Sequence, residues 1–271
     1  TSDKTRPCPS AELLPPLLAA LNAAGIPDER VSVICGLGSH RGHSAEERRA
    51  LVGEAVWRRV PVLDSDPGDT VALGTTAAGT PVEIDRRVAE ADLVVGVGVI
   101  EYHYFVGYSG GLKAIVPGCI SANHSLMTLP GAEVGRLEGN PVRMDLEEAG
   151  ARAAVRFILN AVLSTTGRLV AAVAGDPIAA HREGRRCLDA RNRARLATPA
   201  PIVIASAGGH PKDIDLYQAQ KGLDNAARAL APGGTLVLVA ECGDGLGHAT
   251  FGQWLRQGPD PQAILRRLER G

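Results

Sequence analysis

Short, uninterrupted runs of β-branched and aliphatic residues recur along the chain at 31–35, 93–99, 169–174, 202–205 and 235–240. None alternates polar with apolar, so each predicts a strand buried on both faces. Helical patterns fill the spaces between them. Ser10 reads as a cap for a helix over 11–24 that stops at Gly25, and Pro15 and Pro16 require that helix to begin or kink there. Ser44-Ala45-Glu46-Glu47 opens a second helix with acidic residues in its first turn. Two more are predicted over 145–163 and 217–230. Strand and helix alternate throughout, which defines an α/β protein with mostly parallel, doubly wound sheets. The Arg- and Ala-rich stretch 185–201 ends in Thr198-Pro199-Ala200-Pro201 and reads as a helix and linker between two domains, 1–196 and 197–271.

Composition narrows the class. Hydrophobic residues at 45% and charged residues at 22% suit a soluble globular chain, and aromatics at 3% leave Ala, Val and Leu to build the core. A net charge of −1 recruits neither nucleic acid nor an anionic membrane surface. The apolar run 91–100 is too short to span a bilayer. Cys8, Cys35, Cys119, Cys187 and Cys242 are scattered without a CxxC pair, so neither a zinc site nor a disulfide framework is indicated, and a reducing, cytoplasmic setting is expected. The chain opens without Met on a dense polar motif, Asp3-Lys4-Thr5-Arg6-Pro7, from which an upstream strand is expected.

Polar motifs follow four of the runs: Ser39-His40-Arg41, Glu101-Tyr102-His103, Ser206-Ala207-Gly208-Gly209-His210 and Cys242-Gly243-Asp244-Gly245. In open α/β sheets ligands bind beyond the carboxyl ends of the strands. His40 and His103 stand at that edge and suit opposed acid/base roles, such as a racemase needs for the two faces of its substrate. The turn Ser109-Gly110-Gly111 lets backbone N–H groups converge on an anion, and Lys113 two positions on supplies a charge or a covalent attachment point. A glycine-rich turn with a solvated lysine is the alternative, and the Walker spacing is absent. His124 is a candidate imidazole metal ligand. Tyr217, Gln218 and Lys221 share one end of a helix, and Arg6 with Lys221 would clamp a small carboxylate. His43, His181 and His248 read as surface residues. Gly96-x-Gly98 and Gly243-x-Gly245-x-Gly247 fall short of a dinucleotide fingerprint.

Taken in order, Asp3-Lys4-Thr5-Arg6-Pro7, Gly38-Ser39-His40-Arg41, the long block Tyr102 to Lys113, Pro117-Gly118, Asn123-His124, Gly139-Asn140-Pro141-Val142, Ser206-Ala207-Gly208-Gly209, Tyr217-Gln218-Ala219-Gln220-Lys221 and Phe251-x-x-Trp254 resemble the nickel-dependent lactate racemase family. The resemblance implies a nickel pincer nucleotide, a pyridinium mononucleotide with two sulfur arms and a nickel–carbon bond. It implies that Lys113 holds this group through a thioamide, that His124 completes the nickel coordination, and that Ser109, Gly110 and Gly111 cradle its phosphate. His40 and His103 match the two catalytic bases, and Arg6, Tyr217, Gln218 and Lys221 match the substrate carboxylate site. Asp3 and Trp254 match further active-site positions, Asp3 on the cofactor side. The implied reaction is racemisation of a small 2-hydroxy acid by reversible hydride transfer, with 1–196 as the cofactor-binding and catalytic domain, 197–271 on the substrate side, and cofactor-synthesis proteins as partners. The eleven-position step from Lys113 to His124 is shorter than the family's. That departure keeps open a nickel-nucleotide-binding or carrier protein without racemase activity; an NAD-dependent 2-hydroxy acid dehydrogenase is the other alternative.

Overall fold

A computed structural model describes residues 1–38, 40–119, 131–256, 260, 262–263 and 266. Contacts divide the chain into two compact units, Thr1–Ala194 and Arg195–Gly271.

The first unit begins with helix α1, Ser10–Ala23, in which Pro15 and Pro16 are interior. Each proline removes one helical N–H. The carbonyls they leave, on Ala11 and Glu12, belong to exposed residues and can turn to water, so the helix runs on unbroken. Pro9, not Ser10, is the cap residue; the buried Ser10 hydroxyl instead pairs with that of Thr1 at 2.8 Å. Strand β1, Val33–Cys35, lies parallel to β2, Val62–Asp64. Between them α2, Ala45–Val52, starts with the expected capping box of Ser44 and Glu47, and α3, Glu54–Trp57, follows. Strands β3, Thr70–Thr75, and β4, Pro81–Asp85, form an antiparallel pair ahead of α4, Arg86–Ala89.

Strand β5, Val94–Ile100, is the spine of this unit, and every residue except Val95 is buried. It lies parallel to β8, Val155–Leu163, which pairs antiparallel with β9, Leu169–Gly175. A small ribbon of β6, Tyr102–His103, and β7, Gly107–Tyr108, leaves the carboxyl end of β5. Helix α5, Pro141–Arg152, is capped by Asn140, and α6, Pro177–Asn192, is capped by Asp176 and packs on β8 and β9. The helix expected over 145–163 is therefore two elements: α5 ends at Arg152, Ala154 turns the chain at φ 53°, and the apolar run beyond becomes β8. Two buried clusters flank β5. One gathers Leu13, Leu14 and Leu18 of α1 with β1, β2 and Val97; the other gathers Val82, Ile84, Ile115, Val116 and Leu146. Full burial of each such side chain contributes about 2 kcal/mol.

The second unit is a strand–helix–strand crossover. Strand β10, Ala200–Ser206, is parallel to β11, Leu230–Val239, and α7, Leu216–Ala227, packs on both. Helix α8, Ala249–Arg256, follows. Burial on both faces fails for β9, β10 and β11. Ile202 and Ile204 are 64% and 73% exposed, because within this unit the two-stranded sheet carries its helix on one side only. Among the described residues, no helix is long and apolar enough to cross a membrane.

Candidate active site

The amino-terminal residues lie along the carboxyl end of β1. Ser2 forms a parallel bridge to Gly36, whose N–H donates to the Thr1 carbonyl at 2.8 Å. Against the same end packs the segment 111–119. Gly38 N–H donates to Gly118 O at 2.9 Å, and a Cβ at Gly36 would stand 2.8 Å from Ala114 O, so only glycine fits there. Residues far apart in the chain thus meet at one strand end, as the sheet rule requires.

Asp3 and His40 form a tight pair in this corner. Asp3 Oδ2 accepts from His40 Nδ1, and Asp3 Oδ1 accepts the Thr5 N–H at 3.2 Å and the Thr5 hydroxyl at 2.8 Å. Burial tends to raise the Asp3 carboxyl, but the hydrogen bond and charge of His40, helped by Arg6 and Thr5, prevail and bring it down to about 2. An ionised Asp3 fixes the proton of His40 on Nδ1 and directs proton exchange to Nε2. Lys113 is close enough to feel Asp3 and Arg6. Burial pushes its ammonium down to about 7, Arg6 and Arg143 add to the effect, and Asp3 opposes it. Part of the Lys113 population is therefore a neutral, nucleophilic amine near neutral pH.

His103 is the last residue of β6 and is buried. Its ring stacks on Tyr104 at 5.0 Å and meets the edge of Phe105 at 4.4 Å. The Ser109-Gly110-Gly111 turn is built into the protein. Ser109 N–H donates to Glu101 O at 2.8 Å, Gly111 N–H to Asn160 Oδ1 at 2.7 Å and Lys113 N–H to Gly110 O at 3.3 Å. The Ser109 hydroxyl donates to Val99 O at 2.8 Å. A Cβ on Gly110 would stand 2.7 Å from the Ile100 side chain, and one on Gly111 2.8 Å from Arg143 Nη2. Two of the turn's amides and that of Lys113 thus point at protein acceptors, and the glycines serve close packing in a rigid mount for Lys113. His124 lies outside the described residues.

In the second unit, Asp215 caps α7 by accepting Gln218 N–H at 2.7 Å. Lys221 Nζ donates to Gln218 Oε1 at 2.5 Å and sits 5.8 Å from the centre of the Tyr217 ring. Tyr217 in turn contacts His248 at 5.6 Å and Phe251 at 5.5 Å. Trp254, one turn beyond Phe251 on α8, is half-buried.

Two histidines expected on the surface are buried instead. His181 is fully enclosed because α6 lies flat on β8 and β9, and its Nε2–H donates to Ser109 O at 2.8 Å. His43 donates Nδ1–H to Asp64 Oδ1 at 2.6 Å and accepts the Lys4 N–H on Nε2 at 3.1 Å. With Cys35, His43 and Asp64 offer ligand atoms within 4.8 Å of one another, but both imidazole nitrogens already hold hydrogen bonds that pin the Asp3 segment. Sequence reasoning also missed Arg143 and Asn160 beneath the lysine turn.

Fold and site together define an α/β protein with a carboxylate–histidine pair and a perturbed lysine at a strand edge. The family description "Lactate racemase N-terminal domain" matches residues 1–135 and "Lactate racemase C-terminal domain" matches 196–270. A lactate racemase of Thermoanaerobacterium thermosaccharolyticum is 38% identical over 279 residues, covering 99% of this chain and 65% of the relative. One from Lactiplantibacillus plantarum is 34% identical over 276 residues, covering 98% and 64%. The solved structure of the lactate racemase apoprotein from Thermoanaerobacterium thermosaccharolyticum superposes with a TM-score of 0.90 at 35% identity, covering all of this chain and 67% of that one. The chain belongs to the lactate racemase family. It spans 65% and 64% of the length of the two curated relatives.

Proposed function

We propose that the chain carries the cofactor anchor and the acid/base residues of a racemase acting on a small 2-hydroxy acid. The observation that carries this reading is the Asp3–His40 pair set beside an amine lowered to about 7 at Lys113. A lysine neutral at physiological pH fits covalent attachment, which an ordinary solvated lysine does not. The donor set therefore suits a nickel pincer nucleotide held by Lys113, with Asp3 beside it; Ser109, Gly110 and Gly111 serve it by fixing the lysine, and His124 is the proposed nickel ligand. When bound, that group supplies a site that accepts and returns the substrate's Cα hydride.

The remaining chemistry belongs to the chain. His40 takes the substrate hydroxyl proton on Nε2 while Asp3 holds the other nitrogen and stabilises the imidazolium. His103 is the second acid/base, which returns the proton when the opposite enantiomer forms. Arg6 is the proposed carboxylate ligand of the first unit and Lys221 that of the second, with Tyr217, Gln218 and Trp254 as further substrate-side residues. His103 is buried, and the desolvation that lowers Lys113 fits a reacting centre that holds little water. Cytoplasmic cofactor-synthesis proteins are the expected partners.

The test is chiral chromatography of L-lactate, then of a panel of other 2-hydroxy acids, incubated with the full-length, cofactor-loaded protein. The expected result is conversion to the opposite enantiomer without added NAD. Bound cofactor with no exchange across the panel supports a carrier instead, and turnover that requires NAD supports a dehydrogenase; either result rejects the racemase reading.

A further inference from the structure

Beneath the lysine turn, three side chains from three later elements hold four consecutive residues. Arg143 of α5 donates from Nη1 to Tyr108 O at 3.3 Å and Gly110 O at 3.5 Å. His181 of α6 donates to the intervening Ser109 O at 2.8 Å. Asn160 of β8 accepts the Gly111 N–H at 2.7 Å and donates to Leu159 O at 2.9 Å. Arg143, Asn160 and His181 are 1%, 0% and 0% exposed, so this is a built cradle and not a surface contact.

The cradle is costly. A buried guanidinium loses several kcal/mol of hydration, and apolar residues of similar volume commonly replace such groups without loss of stability. Arg143 recovers part of that cost from Glu147, which accepts its Nε at 2.6 Å but is shared with Arg182, also at 2.6 Å. Its Nη2 has no hydrogen-bond partner among the described residues, and neither does His181 Nδ1. Packing alone does not account for a charged group kept here under those conditions. The Gly139-Asn140-Pro141-Val142 motif leads directly into it: Asn140 accepts the Arg143 N–H at 3.0 Å and donates to Phe105 O at 3.0 Å, which ties the start of α5 to the loop beside His103.

We propose that Arg143 is a positioning residue for Lys113, with Asn160 and His181 as struts, so that this cradle fixes where the anchoring amine sits and holds it beside a buried cation. The inference deepens the racemase reading, since Lys113 is the proposed anchor there. The charged groups acting on Lys113 are Arg6 and Asp3 from the amino-terminal segment and Arg143 from α5. Arg143 opposes the protonated form, and the closed turn keeps water away from it.

The test uses the full-length protein without cofactor. The described chain has four lysines, Lys4, Lys113, Lys212 and Lys221, so short pulses of acetic anhydride across pH 5.5–10 followed by peptide mass spectrometry give a labelling profile for each (pH range on the order of the lysine and histidine titration span). In the unsubstituted protein Lys113 labelling is half-maximal near pH 7. In Arg143→Met the midpoint moves up by about one pH unit, and the rate at pH 7 falls roughly fivefold. Lys212 stays unchanged as the internal reference. Arg143→Lys, which keeps the charge, recovers most of the shift, which a space-filling role would not produce. A folded Arg143→Met protein with an unchanged Lys113 midpoint overturns the proposal. If that variant does not fold, His181→Leu carries the question: a raised midpoint supports the cradle and an unchanged one rejects it. The measurement needs neither cofactor nor turnover, so its failure leaves the racemase reading standing, and absence of racemase activity leaves its result standing.

Discussion

Replacing Asp3 by Asn removes one charge and leaves the shape of the corner intact, which makes its consequence calculable. Asp3 is 3% exposed, and its carboxyl is held at about 2 against an ordinary value of 3.8. Burial works against that shift, and the His40 hydrogen bond and charge, Arg6 and Thr5 overcome it. The depression corresponds to about 2 kcal/mol of stability at pH 7. Because the folded-state value is the lower one, this contribution is fully present above the unfolded-state value near 4. It fades as the pH falls through about 2, with roughly half remaining at pH 3. Urea denaturation of the two proteins at pH 7, 4 and 3 therefore gives a stability gap of about 2 kcal/mol at the first two and about 1 kcal/mol at the last. A gap independent of pH would mean that the Asp3 carboxylate is not stabilised by His40 and Arg6, and the account of the corner would fail. In the loaded enzyme the same change lets His40 adopt the other tautomer, and losing the orienting carboxylate costs up to about 10⁴ in kcat in other carboxylate–histidine pairs.

Two further outcomes follow from single residues. Intact-mass measurement of the loaded protein shows a covalent adduct that is absent in Lys113→Ala; an adduct that survives the substitution removes Lys113 as the anchor. Gly107→Ala places a Cβ 1.9 Å from Arg136 O at φ 75°, so urea denaturation should report a loss on the order of 3 kcal/mol or more, and a loss under about 1 kcal/mol contradicts the packing of the ribbon that carries His103.

The parts of the fold legible in the sequence are those whose local pattern and tertiary role agree. The run that became β5 is continuous because both its faces are covered. Ser44 and Glu47 cap α2 through neighbours three residues apart, with no help from the rest of the chain. The break between α5 and β8 left no mark, because the reversing residue is Ala154, in a conformation for which glycine or asparagine is the usual signal. Without that signal, an apolar run after a helix fits either period. His181 misled for a related reason: it stands in none of the polar motifs that follow a strand run, so nothing local set it apart from a surface residue. One cue was present. Gly184, three positions on, lies where a Cβ would come within 2.3 Å of Ile100, and glycine on a helix marks close approach to another element.

The site divides along the same line. His40 and His103 were visible because each comes after a strand run, and the carboxyl edge of a sheet collects ligands whatever the details of packing. Protonation states at the site were not visible, because they are set by partners distant in sequence. Asp3 lies 37 positions from His40, and His181 lies 72 from the Ser109 carbonyl that it holds. A short motif records the chemistry of a residue, whereas the pKa that makes Lys113 an amine or Asp3 a firm anion depends on burial and on charges brought in by folding. A relative that keeps Lys113 and loses Arg143 would thus keep the motif and lose the condition that makes its lysine reactive. In such a relative the labelling midpoint of the lysine should lie above that found here, and comparing the two profiles separates possession of the residue from possession of its environment.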